Sequence, residues 1–168
     1  MPVMANIPKT PVSIESEKAL LGSLIIDSQS WEKISNIITP NDFYDLRNKD
    51  IFSEIYNLQI NDQPLDILIL EETLKSHDKL SKIGGLEYLK DLAKTVPTSA
   101  HIVKYAEMVR EKSVMRKLVQ ASTRIIETVH DESSDDIYTI LDKAEADIFA
   151  IASDTKNISI VISFVKTL

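Results

Sequence analysis

Apolar residues recur along this chain at helical rather than alternating spacing. A leader, residues 1–12, is broken by Pro2, Pro8 and Pro11 and reads as extended. Ile14, Leu20, Leu21, Leu24 and Ile25 then share one face of a helix reaching about Asp27. Ser13 stands at its N-cap, and Glu15 and Glu17 fall in the first turn, where the helix dipole favours negative charge. A shorter helix presents Trp31, Ile34, Ile37 and Ile38 to a core and ends at Pro40. Asn41-Asp42 caps a turn into Phe43-Tyr44. Ile51, Phe52, Ile55, Tyr56 and Leu58 give a helix over residues 48–60. After the loop Asn61-Asp62-Gln63-Pro64, Asp66 caps a helix over Ile67–Ser76, although residues 65–70 are apolar enough to fit a strand. Gly84-Gly85 breaks the chain, and Leu86, Tyr88, Leu89 and Leu92 start a further helix that ends near Val96-Pro97.

The pattern changes after Pro97. Residues 99–129 contain neither Gly nor Pro, and Ile102, Tyr105, Val109, Met115, Leu118, Val119, Ile125, Ile126 and Val129 keep helical spacing, with a weak patch at Lys112-Ser113. A helix of ~30 residues is roughly 45 Å long and must project from a chain of this size or be covered by partners. His130-Asp131-Glu132 is a short connection. Ser133 and Asp136 then open a helix with a capping-box-like start, and Ile137, Ile140, Leu141, Ala144, Ile148, Ile151 and Ala152 form a single stripe to about Ser153. Two long helices joined by a short loop fold back as an antiparallel hairpin. Residues 104–124 hold six basic residues and two acids, whereas residues 127–147 hold eight acids and one base. Opposite signs select this pairing, although each exposed ion pair contributes little; two separately solvated charged faces are the competing reading. Asp154-Thr155-Lys156-Asn157 reads as a linker. Beyond it, Ile160, Val161, Phe164, Val165 and Leu168 share one helical face, though their β-branched content also permits a strand. That face is expected to dock on another surface.

Composition narrows the possible chemistry. The 168 residues are 43% hydrophobic and 27% charged, enough for a packed core and too apolar for wholesale disorder. With no cysteine there is no disulfide, thiolate metal site or cysteine nucleophile. Gly22, Gly84 and Gly85 are the only glycines, so no phosphate-cradling P-loop is present. The formal charge of −7 argues against a DNA-binding surface and for a protein partner. His77, His101 and His130 lie in different segments at no ligand-like spacing and read as isolated surface groups. Glu71-Glu72 and Asp135-Asp136 read as solvated or capping acids. No metal, cofactor or catalytic residue is expected, and an enzyme lacking a P-loop has no donor cluster to support it. Trp31, Phe43, Tyr44, Phe52 and Tyr56 are assigned to the core, and Tyr88, Tyr105 and Tyr138 to the head–hairpin junction. No apolar run is long enough to span a membrane, and no secretory signal is present, so the cytoplasm is expected.

Several strings resemble, in order and spacing, the N-terminal domain of bacterial replicative DNA helicases of the DnaB family. They are residues 13–24 (Ser13-Ile14-Glu15 through Gly22-Ser23-Leu24), Asp42-Phe43-Tyr44 with Ile51-Phe52, Gly84-Gly85-Leu86-Glu87-Tyr88-Leu89, Val96-Pro97-Thr98 with Tyr105-Ala106 and Val109-Arg110-Glu111-Lys112, and Leu141-Asp142-Lys143-Ala144-Glu145 with Ile148-Phe149. The resemblance covers roughly residues 11–153. Asn48 departs from it, standing where histidine is expected in many members.

The resemblance implies an all-α fold: a helical head (13–98), a long helical hairpin (99–153) and, from 154 to 168, the start of a linker helix to an ATP-driven motor domain absent from these residues. The chain is then expected to be a fragment. Family hairpins pair between subunits as a trimer of dimers, forming a collar on a hexameric ring that recruits primase; a helicase loader is a further candidate partner. ATP and magnesium would belong to the motor, and little direct DNA binding is expected here. Glu15, Tyr88, Val119, Ile125 and Ile126 are the candidate subunit or primase contacts, with a core role as the competing reading for Val119 and Ile125. Ile160, Phe164, Val165 and Leu168 form the candidate linker docking face. The rival reading is a free-standing helical adaptor or regulator acting on such a helicase.

Overall fold

A computed structural model describes residues 9–131 and 136–167, with side chains as far as Asp154. Every regular element among them is helical. The eight helices are α1 (Ile14–Ile26), α2 (Trp31–Ile34), α3 (Leu46–Ile60), α4 (Ile67–Ser76), α5 (Leu80–Ile83), α6 (Gly85–Lys94), α7 (Ile102–His130) and α8 (Ile137–Thr167). Helices α1 to α6 and the first turns of α7 make the head. The rest of α7 and α8 form the antiparallel hairpin.

Helix α1 is the axle of the head, packing on both α6 and α7. Leu20, Leu21 and Leu24 are wholly buried, and their cluster extends through Ile34, Ile38, Ile51, Phe52, Ile55, Leu70, Leu74, Ile83 and Leu89. Phe43 stacks on Phe52 with centroids 4.6 Å apart, and Trp31 meets Tyr56 edge to face at 5.7 Å. Gly22 allows the close crossing of α1 and α6, since a Cβ there would collide with the Leu92 carbonyl. Gly84 ends α5 in the left-handed region at φ 103°, a conformation open to glycine at no steric cost.

Local chemistry explains where the elements begin. Asp66 Oδ1 accepts the Ile69 N–H at 2.8 Å, so the apolar run enters a helix from Ile67 and not a strand. Asp45 accepts from Arg47 and Asn48 and starts α3 two residues earlier than expected. Other expectations are refined or corrected. Ser13 occupies the N-cap position of α1, but its hydroxyl bonds Ser16 Oγ at 2.7 Å and not a helix N–H. Asn41 and Asp42 lie within a 3-10 turn, Pro40–Asp42, that leads into Phe43, and Asp42 caps it by accepting the Thr39 N–H at 2.8 Å. Tyr44 is 48% exposed and lies under the Arg116 guanidinium. Residues 154–157 and the stretch after them to Thr167 continue α8, with no Gly or Pro interrupting residues 137–167. Ser133, most of the leader and the side chains of Ile160, Phe164, Val165 and Leu168 lie outside the described residues.

Two buried polar clusters hold the head's loops. Glu17, 2% exposed, accepts from Tyr44 N–H (2.6 Å), Asp45 N–H (3.3 Å) and Asn48 Nδ2 (3.0 Å), and Tyr88 Oη donates to Asn48 Oδ1 at 2.6 Å. Burial pushes the Glu17 carboxyl above its ordinary range, outweighing these donors. Glu54, also buried, takes Lys79 Nζ at 2.8 Å and His77 Nδ1 at 3.0 Å. His77 is therefore partnered rather than isolated.

Candidate interaction surface on the hairpin

The two arms are unlike in charge and are joined accordingly. Arg124 Nε meets Asp147 Oδ2 at 3.2 Å, Lys117 Nζ meets Asp154 Oδ2 at 3.2 Å, and Arg110 Nη2 meets the same oxygen at 2.5 Å. Two of the three pairs converge on Asp154, beyond the acidic stretch marked in the sequence. For Asp154, desolvation raises the carboxyl, but hydrogen bonds from Arg110 and Lys117 outweigh it and hold the group below its ordinary range.

Arg110 fixes the hairpin root to the head. Its Nη1 donates to the buried Asp42 carboxylate at 2.6 Å, and Ser113 Oγ donates to the same Asp42 oxygen at 2.7 Å. For Arg110, the desolvation that favours the neutral form is overcome by Asp42 and Asp154, and the guanidinium is held above its ordinary range. The sequence's weak patch at Lys112-Ser113 is thus where α7 crosses the 3-10 turn at Pro40–Asp42. Lack of apolar residues there reflects a polar anchor and not a helix end.

Above that anchor the apolar pattern splits. In α8, Ile140, Ala144 and Ile151 are half-buried, whereas Ile137, Leu141 and Ile148 are exposed, so the single stripe expected along α8 is really two. Phe149, 73% exposed, adds to the outer one. On α7 the outer positions include Val119, Ile126 and Val129, each more than half exposed. A groove of about 830 Å³ runs over Ala146, Ile148, Phe149 and Ala152 of α8, flanked by Asp142 and Glu145. A smaller hollow of about 290 Å³ lies between the arms, lined by Ile125, Ile140, Ala144 and the Arg124–Asp147 pair. Outward-facing apolar side chains on both arms give a surface suited to helix–helix packing against another molecule.

The candidate residues fall in two places. Val119, Ile125 and Ile126 share α7, with Val119 and Ile126 exposed and Ile125 turned partly between the arms. Glu15 and Tyr88 sit on the head, Glu15 exposed in the first turn of α1 and Tyr88 half-buried with its hydroxyl held by Asn48. Burial raises the Tyr88 phenol above its ordinary range despite the Arg47 guanidinium 4.8 Å from the ring centroid. Tyr105 packs on the head core, whereas Tyr138 is exposed at the first turn of α8, at the hairpin's far end and not at the junction. Leu141 and Phe149 were not singled out from sequence as contacts; the available signal was an apolar arc on α8 too wide for one neighbouring helix. Among the described residues, no group of three or more His, Asp or Glu is placed to hold a metal ion, and no helix is long and apolar enough to cross a membrane.

Comparison with known proteins agrees with this architecture. Residues 9–111 match the family model for the DnaB-like helicase N terminal domain. The replicative DNA helicase DnaB of Haemophilus influenzae is 36% identical over 148 residues, which is 88% of this chain and 32% of that protein. Geobacillus stearothermophilus DnaB is 34% identical over 142 residues, 84% of this chain and 31% of that protein. The chain thus spans about a third of the length of the curated relatives it matches. The crystal structure of the N-terminal domain of DnaB helicase from Mycobacterium tuberculosis superposes with a TM-score of 0.79 at 29% identity, covering 84% of this chain and 99% of that one. The structure of a DnaB-like replicative helicase and its interactions with primase shares the fold at a TM-score of 0.69 and 22% identity, over 83% of this chain and 31% of that one. By sequence and fold alike, the chain belongs to the DnaB-like helicase N-terminal domain family.

Proposed function

We propose that this chain is an assembly and partner-docking domain of a replicative DNA helicase, with no catalysis of its own. It acts mechanically. The head holds the hairpin root through Asp42 and Arg110, and the hairpin presents apolar side chains that pair with a second subunit and help to recruit primase. The observation that carries this reading is the apolar outer surface on both arms, with Val119 and Ile126 on α7 and Leu141, Ile148 and Phe149 on α8 all exposed. Exposed apolar surface of this kind marks an interaction site. The interactions with primase recorded for a structural neighbour support primase as one partner. On this reading the unit of assembly is a dimer, three of which build the hexamer. ATP and magnesium belong to a motor outside these residues, and the work is done in the cytoplasm.

Sedimentation velocity of the purified chain tests it. Dimers or larger species are expected, and Ile126→Arg or Phe149→Arg should shift them to monomer without loss of helix content. A strict monomer at high concentration that also fails to bind purified primase would overturn the proposal.

A further inference from the structure

A third hollow lies at the hairpin root and differs in chemistry from the other two. It encloses about 700 Å³ between the start of the described chain, the loop after Pro40 and α7. Lys9 and Arg116 stand on its wall beside Phe43, Tyr44 and Val119. Among the described residues no carboxylate lines it, whereas the groove on α8 carries Asp142 and Glu145, and the hollow between the arms carries Asp147. A pocket with two cations and no acids stands out in a chain of net charge −7.

The Arg116 cation is fixed in place and not neutralised. Its Nη1 donates to the Pro11 carbonyl at 2.8 Å, its Nη2 to the Asp42 carbonyl at 2.7 Å, and its guanidinium lies 5.4 Å from the Tyr44 ring centroid. The nearby Asp42 carboxylate is turned to Arg110 and Ser113. Neither Lys9 nor Arg116 forms an ion pair among the described residues. A guanidinium held by carbonyls and an aromatic face, with apolar walls beside it, is arranged to receive a carboxylate flanked by an apolar side chain.

We propose that this groove docks an acidic peptide segment of a partner protein, an Asp or Glu side chain meeting Arg116 and Lys9 while a neighbouring apolar residue packs on Val119 and Phe43. This gives the partner-docking role a site and a recognition chemistry, and it rests on that reading for the claim that a partner docks on this domain at all.

The test is fluorescence anisotropy of the full chain with a labelled peptide in which aspartates alternate with leucine and phenylalanine, set against the same peptide with asparagine in place of aspartate. The aspartate peptide should bind at least about tenfold more tightly, and its affinity should fall with added salt. Arg116→Gln should weaken it about tenfold. Because Arg116 also braces two loops, Lys9→Glu serves as a second variant; Lys9 makes no hydrogen bond among the described residues, so the fold does not depend on it. Lys90→Gln, on the exposed side of α6, should change nothing. Backbone NMR shifts on peptide addition should cluster at Tyr44 and Val119. Equal binding of the two peptides, or binding indifferent to both variants, overturns the proposal. Self-association that depends on Arg116 without peptide binding also overturns it, and assigns the groove to a second copy. Selective peptide binding by a chain that stays monomeric and ignores primase upholds the groove while removing the assembly role.

Discussion

The head and the hairpin are built from the same kind of helix and bury it to different degrees. The head encloses a core in which Phe52, Leu20, Leu21 and Ile55 are fully buried, although Leu46 and Leu68 on its surface stay exposed. From residue 122 to 154 no described residue is buried. Two helices can cover only the stripe each turns toward the other, so a lone hairpin leaves its remaining apolar positions in water. The head thus encloses a core of its own, whereas the hairpin leaves apolar side chains in water that the proposed assembly would cover. Stability should reside in the first and association in the second.

The sharpest way to break that contrast is to delete an aromatic ring from each region. Phe52→Ala opens a cavity in the centre of the head and should cost about 3–5 kcal/mol in urea unfolding. Phe149→Ala should change the stability of the monomer by less than about 0.5 kcal/mol, and should act instead on sedimentation. Comparable losses from both would show that the hairpin has a core of its own.

The junction comes next. Asp42→Ala removes the buried acceptor of Arg110, Ser113 and the Thr39 N–H, leaving a largely buried guanidinium with Asp154 alone, and should cost about 3 kcal/mol. Gly22→Ala, which forces α1 from the Leu92 carbonyl, should cost about 1–3 kcal/mol by the same unfolding measurement.

Glu17 gives the head a pH signature. Its native pKa is raised above the ordinary 4.5, mainly by burial, so between the two values the folded chain binds more protons than the unfolded one. Its contribution is therefore greatest below pH 4.5 and declines as pH rises through the native value. Measured between about pH 4 and pH 7, the stability of the parent chain relative to Glu17→Gln should fall with rising pH. A flat difference would mean that the three donors to Glu17 fully offset its burial.

What the sequence made legible follows the same division. Local periodicity and capping located α4 and α7 closely, because Asp66 and the Gly- and Pro-free run after Pro97 act within a few residues. The roles of Glu17, Asp42 and Arg110 were not legible. Each is a charged residue at an ordinary helix-surface or turn position, buried by partners far along the chain, as with Asp42 and Arg110, 68 residues apart. The double apolar surface of α8 was present as a pattern, but only the fold separates the side facing α7 from the side facing solvent. The polar run at Asp154 reads as a linker, and nothing local to it signals that Asp154 joins α8 to α7 through Arg110 and Lys117.

Asp154 also supplies the smallest and most discriminating prediction. It pairs with both Arg110 and Lys117, but its side chain is half exposed, and ion pairs of that kind contribute about 0–1 kcal/mol. Its lowered pKa sets the direction: the contribution is present above the ordinary 3.8 and is lost as pH falls through the native value. Asp154→Asn should leave the urea midpoint nearly unchanged while speeding amide hydrogen exchange along α8, with the amides of α1 and α3 unaffected, because local opening of the hairpin does not require opening of the head. Should Asp154→Asn instead lower global stability as much as Asp42→Ala, α8 and the head would form one cooperative unit joined through Arg110, and the division between a stabilising head and an associating hairpin would fail.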